Sequence, residues 1–198
     1  MGGEVSPMDR RWIAEALGRP ICIVDLTSRD AAQSPKYRSV MQAHFSTLTD
    51  SSLIFVSEQR SQGDVVSALK SAGAIYIPGG DAEALLDNLG EQELFSPLRS
   101  VPVPVVGNSA GAVAVCADAV LTTDDDVQNA MVRPGLGLVN FSVAPHYDST
   151  HDEELLALSV GRDIYGLPEE SAIVADGRST EFVGSVWRFA DGRKEKVN

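Results

Sequence analysis

Apolar and polar positions follow two alternating patterns along the first part of the chain. Short, nearly continuous apolar runs are typical of strands covered on both faces, and they occupy residues 20–26, 52–56, 74–77 and 103–106. Between these runs, apolar residues recur at helical spacing and predict helices over residues 7–18, 35–48, 62–71, 81–89 and 110–116. The chain therefore alternates between predicted strands and predicted helices.

This alternation predicts an α/β fold, a three-layer, open, mostly parallel sheet with helices on both faces. Two later apolar segments, residues 171–175 and 185–190, predict antiparallel strands added at a sheet edge. The length of 198 residues favours a single domain over residues 1–198. No internal repeat or low-complexity linker interrupts it.

The formal net charge of −12 bears on the partners of the protein. Binding to phosphates requires a basic patch, so this charge argues against a nucleic acid and against an anionic membrane surface. No segment approaches the roughly 18 uninterrupted apolar residues of a membrane span. The N-terminus, with Glu4 and Asp9, does not resemble a secretory signal. We therefore expect a cytoplasmic protein without a membrane or nucleic-acid partner.

The two cysteines, Cys22 and Cys116, both lie within apolar runs. This placement predicts two reduced side chains that are buried as small hydrophobic groups. A chain of this size can bury enough surface to fold without a disulfide or a metal. We therefore expect neither a metal site nor another cofactor.

A candidate nucleophile follows the fourth predicted strand, in the sequence GNSAG at residues 107–111. The segment matches the G-x-S-x-G pattern of a nucleophile elbow, a sharp strand-to-helix turn that exposes a serine. Small neighbours are needed because the chain passes close to itself, and the N–H of Ala110, which follows Ser109, would point at a developing oxyanion. The same residues could instead form a tight turn in which Ser109 only caps the helix.

A serine needs a base to become a good nucleophile, and the chain has three histidines. His44 lies in an amphipathic helical pattern and is most simply a packed or surface residue. His146 follows an apolar segment, residues 141–145, that would end as a strand. Ligand sites of open α/β sheets lie beyond the carboxyl ends of the strands, so His146 is the candidate base. A structural loop histidine is the alternative reading of the same residue.

A carboxylate must orient the imidazole of such a base. An acidic cluster at residues 124–126 lies between Ser109 and His146, in a predicted loop. The chain order Ser, Asp, His is found in known triads. The cluster could equally be a solvated acidic turn.

Several segments together resemble peptidase family S51, the serine peptidases that include peptidase E (aspartyl dipeptidase) and cyanophycinase. Their order along the chain is that of the family: PGGDAEALL at 78–86, GNSAGA at 107–112, TTDD at 122–125, GLGLV at 135–139 and PHY at 145–147. The resemblance covers roughly residues 70–160. It implies a fold similar to that of class I glutamine amidotransferases, with serine in place of their cysteine.

The resemblance also implies roles for individual residues. Ser109 would be the nucleophile and His146 the base, while the N–H groups of Gly80 and Ala110 would bind the oxyanion. Asp125 would be the triad acid. The other candidates for the acid are Asp126, Asp124, Glu169 and Glu170.

The substrate-binding residues expected from the resemblance are Asn108, Tyr147 and His151. In aspartyl dipeptidases, an Arg shortly after the catalytic histidine reads the acidic side chain of the substrate, because Arg pairs with carboxylates in a bidentate manner. His151 stands at that position here, with Arg162 and Arg133 as alternatives. The best reason to expect an aspartyl substrate is therefore missing.

We therefore expect a serine peptidase that hydrolyses short peptides, as a dipeptidase does, through a Ser-His-Asp/Glu triad and an acyl-enzyme. A small-molecule esterase or amidase would share the elbow, and a catalytically silent relative would bind a ligand only. Relatives in the family begin with a strand that runs into a glycine-rich turn, and we expect this strand to be absent here, either because the start is truncated relative to the family or because the sheet is one strand short. A missing strand would leave a sheet edge or a helix face uncovered, which association into a homodimer could cover.

Overall fold

The computed structural model describes residues 7–28, 34–57, 61–123 and 129–198. The chain divides into two compact units, Met1–Gly111 and Ala112–Asn198. A single domain over the whole chain stays a prediction.

The first unit alternates between strands and helices, as its apolar pattern predicts. Its strands are β1 (Ile21–Val24), β2 (Leu53–Val56), β3 (Ala74–Ile77) and β4 (Val105–Gly107). Its helices are α1 (Pro7–Glu15), α2 (Ser34–Ser46), α3 (Gln62–Ser71), α4 (Ala82–Glu91) and α5 (Phe95–Arg99). Helix α6 (Ala110–Val115) begins at the end of this unit.

The four strands form a parallel sheet in the order β2-β1-β3-β4. The central strands β1 and β3 are buried at every position, as expected for strands covered on both faces. The register places Ile77, at the end of β3, opposite Gly107, at the end of β4. The chain segments that follow these two strands therefore leave the sheet side by side.

Both faces of this sheet are covered. On one face, Trp12 of α1 and Phe45 of α2 pack against Tyr76 of β3, with ring centroids 5.8 Å and 5.3 Å from the tyrosine ring. Side chains alternate along a strand, so Cys22 and Ile75 point to the other face, and both are fully buried. The predicted α/β fold with a parallel sheet between covered faces is confirmed.

The second unit is richer in antiparallel strands. Its strands are β5 (Asp118–Leu121), β6 (Met131–Pro134), β7 (Ser142–Pro145), β8 (Asp163–Leu167), β9 (Ala172–Ala175), β10 (Thr180–Val183), β11 (Trp187–Ala190) and β12 (Arg193–Lys196). A 3-10 turn (Ser149–His151) leads into its helix α7 (Asp152–Leu158). A four-stranded sheet has the order β12-β11-β8-β7, in which only β7 and β8 run parallel. Two further antiparallel pairs are β5–β6 and β9–β10.

The later strands differ in part from the expectation. The segment at 185–190 forms β11, which is antiparallel as predicted but lies between β8 and β12 rather than at an edge. Strand β8 is not predicted, because Gly166 interrupts its apolar pattern. Packing requires glycine at position 166, because a Cβ there would lie 2.7 Å from Cγ of Tyr147.

Neither Cys22 nor Cys116 is part of a disulfide, and both side chains are fully buried, as predicted. Burial raises the pKa of the Cys116 thiol to about 12, so the thiol stays protonated at neutral pH. In the described ranges of the chain, every helix is too short or too polar to cross a membrane.

Candidate active site

Ser109 lies in the turn between β4 and α6 with a φ of 49°. This left-handed conformation costs a residue with a Cβ about 1–2 kcal/mol, and such strain is often found at functional sites. The N–H of Gly111 closes the turn by donating to the carbonyl oxygens of Pro78 at 3.1 Å and Asn108 at 2.8 Å. The backbone thus has the strained strand-to-helix geometry of a nucleophile elbow.

The elbow depends on the absence of a side chain at Gly111. A Cβ at this position would lie 2.0 Å from the carbonyl oxygen and 2.6 Å from the carbonyl carbon of Ile77. Helix α6 can therefore start against the end of β3 only because residue 111 is glycine.

We expect Gly111→Ala to lower the free energy of unfolding by about 2–3 kcal/mol, because the colliding atoms belong to the backbone and cannot rotate away. Gly63→Ala is a matched control, since Gly63 is likewise the second residue of its helix and its Cβ would have its nearest neighbour at 3.9 Å. This control should raise the free energy of unfolding by about 0.5–1 kcal/mol. Urea denaturation of both variants measures the difference, and equal effects would contradict the packing argument.

A second glycine turn follows β3 and touches the elbow. Gly80 has a φ of 140°, and a Cβ there would lie 2.6 Å from Oγ1 of Thr27. The Thr27 hydroxyl donates to the carbonyl oxygen of Gly79 at 3.0 Å, and the N–H of Asp81 donates to the carbonyl oxygen of Thr27 at 3.0 Å. A Cβ on Gly79 would lie 3.1 Å from Cβ of Ser109. Thr27 therefore holds this turn directly against the candidate nucleophile.

These turns contain the two backbone N–H groups, of Gly80 and Ala110, that the resemblance assigns to the oxyanion. Among the described residues, no group accepts a hydrogen bond from the N–H of Gly80 or of Ala110. Ala110 is the first residue of α6, where helical N–H groups have no partner within the helix. The neighbouring Asn108 is exposed, and its N–H donates to the carbonyl oxygen of Ile77 at 2.9 Å.

In the second unit, His146 is paired with a carboxylate. His146 directly follows β7, and Glu169 is the second residue after β8. Because these strands are parallel neighbours with Pro145 opposite Leu167, both side chains leave the sheet at the same edge. Nδ1 of His146 lies 2.5 Å from Oε1 of Glu169, and both side chains are exposed. His146 also has a left-handed backbone, with a φ of 54°.

The carboxylate expected from the sequence cannot be compared directly with Glu169. Asp125, together with Asp124 and Asp126, lies outside the described residues. Glu170 is the neighbour of Glu169 along the chain and is exposed, with a φ of 63°. Glu169 is thus the candidate carboxylate that the described structure brings to the ring of His146. The sequence signal for it is the pair of acidic residues directly after the apolar end of β8.

Tyr147, expected to contact the substrate, is a buried residue. Only 6% of it is exposed, and its ring belongs to a core cluster with Phe189 at a centroid distance of 5.6 Å. Its hydroxyl donates to Oδ1 of Asp152 at 2.6 Å. These contacts account for Tyr147 as a packing residue, and a contact with substrate stays a prediction.

His151 ends the 3-10 turn before α7. Its Nδ1 lies 3.5 Å from Oδ1 of Asp148, and its backbone N–H donates to the carbonyl oxygen of Asp148 at 3.2 Å. The hydroxyl and N–H of Thr150, which both donate to Asp148, lower the pKa of that carboxyl below its usual range. Asp148 therefore remains an anion beside His151 at neutral pH.

Two arginines are the alternatives to His151 at the position of the missing Arg. Arg162 donates to Oδ2 of Asp118 at 3.1 Å and to the carbonyl oxygen of Leu158 at 2.5 Å, so its guanidinium is already engaged. Arg133 lies in β6. Within the described ranges, no group of three or more His, Cys, Asp or Glu side chains is arranged to hold a metal ion.

Known proteins resemble the chain in sequence and in structure. The sequence model of peptidase family S51 matches residues 27–183. A probable alpha-aspartyl dipeptidase of Drosophila melanogaster is 30% identical over 61% of this chain and 57% of its own length. Peptidase E of Nostoc sp. is 26% identical over 64% of this chain and 60% of its own length. The chain thus spans less than two thirds of either curated relative.

A solved structure of a peptidase from an acI-B1 Actinobacterium has a TM-score of 0.74 with this chain at 18% identity. The match covers 100% of this chain and 91% of that one. It confirms the class I glutamine amidotransferase-like fold that the resemblance implies. The family match covers most of the chain and includes both glycine turns, His146 and Glu169. The chain belongs to peptidase family S51.

Proposed function

We propose that the protein is a serine peptidase that hydrolyses short peptides, in the manner of a dipeptidase. The observation that carries the proposal is the strained turn that presents Ser109 against a second glycine turn. Membership of family S51 supports it, as do the names of relatives, an alpha-aspartyl dipeptidase and a peptidase E.

In the proposed reaction, Oγ of Ser109 attacks the carbonyl carbon of the scissile peptide bond while His146 takes the hydroxyl proton. The carbonyl oxygen gains negative charge and accepts hydrogen bonds from the N–H groups of Gly80 and Ala110. The C–N bond then breaks, His146 gives its proton to the leaving amine, and the acyl group remains as an ester on Ser109. A water molecule, deprotonated by His146, hydrolyses this ester and restores the serine.

We propose Glu169 as the carboxylate that orients His146. A proton on Nδ1 that is donated to Oε1 of Glu169 leaves Nε2 of the ring free of a proton, which is the tautomer a general base requires. The distance of 2.5 Å supports this role. Asp125, the acid expected from the resemblance, stays the competing candidate.

A fluorophosphonate probe tests the proposal directly. We expect the wild-type protein to become labelled, with the added mass on the peptide that contains Ser109, because the probe reacts only with an activated serine. A folded protein that stays unlabelled would contradict the serine-hydrolase mechanism and favour a silent ligand-binding relative.

A panel of substrates tests the dipeptidase part. Dipeptides with Asp, Glu or a neutral first residue are compared with simple esters by kcat/KM. Because Arg162 is engaged by Asp118 and Leu158, we expect neutral dipeptides to be cleaved at least as fast as aspartyl dipeptides. Hydrolysis of the esters alone would identify an esterase instead.

A further inference from the structure

The backbone at His146 needs support from its surroundings. Its left-handed φ of 54° is unfavourable for a residue with a Cβ, and the imidazole of His146 and the carboxylate side chain of its partner Glu169 are both exposed. Exposed side chains pack against little, so their position depends on how firmly the backbone is held. On one side, β7 is held by its pairing with β8.

On the other side, the next residue, Tyr147, is held at three points. Its N–H donates to the carbonyl oxygen of Leu167 at 3.1 Å. Its ring lies so close to Gly166 that a Cβ there would come within 3.0 Å of three ring atoms. Its hydroxyl donates to Oδ1 of Asp152 at 2.6 Å. Tyr147 thus ties the chain directly after His146 to β8 and to the start of α7.

Asp152 is itself held by a cation. Nζ of Lys194, in β12, donates to both carboxylate oxygens of Asp152, at 2.7 Å and 3.0 Å. The same ammonium group lies 4.5 Å from the ring centroid of Trp187 and 5.4 Å from that of Tyr147, a favourable placement for a partly desolvated cation. The hydroxyl of Tyr147, the carboxylate of Asp152 and the ammonium of Lys194 therefore form one connected network.

The protonation states of this network suit its hydrogen bonds. Burial raises the pKa of Tyr147. Hydrogen bonds from Lys194 and Tyr147 lower the pKa of Asp152, and Asp152 in turn raises the pKa of Lys194. Around neutral pH, Tyr147 and Lys194 are therefore donors and Asp152 is an acceptor.

We propose that the Tyr147–Asp152–Lys194 network is a positioning device for His146, which holds the backbone so that the imidazole stays against Glu169. This inference rests on the proposed function, because it takes His146 as the base. Tyr147 is then a positioning residue rather than a substrate contact. The two roles differ in the kinetic constant they affect.

Tyr147→Phe is the principal test, since it keeps the ring against Gly166 and removes only the hydroxyl. We expect kcat, on the dipeptide that the wild type cleaves fastest, to fall about tenfold while KM changes less than twofold, because a small misplacement of a catalytic group is costly. Lys194→Met should have a similar effect. The double variant should be no slower than the worse single variant, because both changes break the same network.

Tyr165→Phe is the matched control. Tyr165 lies on the adjacent strand β8, opposite Val143, and packs against Phe141 rather than against the segment after His146. Removal of the Tyr165 hydroxyl in this variant should leave kcat unchanged. All assays are run well below the unfolding temperature of each variant, which circular dichroism establishes. An unchanged kcat in Tyr147→Phe, or a rise in KM alone, would overturn the inference.

A second readout is independent of activity. The proton on Nδ1 of His146, held by Glu169, should give a downfield proton NMR signal that disappears in Glu169→Gln. We expect Tyr147→Phe to broaden or remove this signal and Tyr165→Phe to retain it. If the wild type hydrolyses no substrate, the proposed function fails. The NMR signal of the Nδ1 proton then tests by itself whether Tyr147 positions His146. Its persistence in Tyr147→Phe would then overturn that role.

Discussion

Replacing Ser109 with alanine is expected to lower kcat for dipeptide hydrolysis by about 10⁴- to 10⁶-fold, while the fold is retained. The loss is large because the hydroxyl is the atom that forms the acyl-enzyme, and no neighbouring group can replace it. The change is small in volume and keeps a Cβ at a position where the backbone already carries one in a left-handed conformation. Steady-state kinetics measure the loss, and circular dichroism checks the fold.

Ser67→Ala is the control for this variant. Ser67 is exposed on α3 and belongs to neither glycine turn, so its replacement should leave kcat and fluorophosphonate labelling unchanged. If Ser109→Ala retained wild-type hydrolysis, the assignment of the nucleophile would be wrong.

The second large effect is expected for Glu169→Gln, which should lower kcat by about 10²- to 10⁴-fold. The amide cannot stabilise the imidazolium that forms when His146 accepts the proton, and it no longer selects the tautomer with Nδ1 protonated. Both side chains are exposed, so water can take over part of the interaction, which favours the lower end of this range. KM should change little, because Glu169 is proposed to act through His146 and not on the substrate.

Two comparison variants make this prediction specific. Glu170→Gln removes the adjacent exposed carboxylate and should retain wild-type kcat. Asp125→Asn tests the acid that the resemblance to family S51 implies. A large loss in Asp125→Asn with little effect of Glu169→Gln would return the role of triad acid to Asp125.

The strands of the first unit could be predicted from the sequence to within about two residues, and for a local reason. Each is a short apolar run, and the two central strands, Ile21–Val24 and Ala74–Ile77, are buried at every position. Strand β8 and helix α7 could not be predicted in this way. Gly166 breaks the apolar pattern of β8 because the ring of Tyr147 occupies the space of its side chain, and α7 has only seven residues.

In the candidate site, too, some residues can be recognised from the local sequence and others cannot. Ser109 and the glycines around it are recognisable because the sharp turn needs small residues at fixed positions, including Gly111 against Ile77. His146 is recognisable because it follows an apolar strand. Its carboxylate partner is different, since chain order favours an acid between Ser109 and His146, whereas Glu169 lies 23 residues beyond His146.

The sequence by itself determined the class of fold, the two glycine turns, the candidate nucleophile and the candidate base. These features depend on residues that are close neighbours along the chain, where burial and backbone sterics act directly. Only the tertiary structure decided that Glu169 pairs with His146 and that Tyr147 is committed to Asp152 and Lys194. Those contacts follow from the parallel register of β7 with β8 and from the position of β12. Strand register joins residues that are distant along the chain, and no local pattern of side chains encodes it.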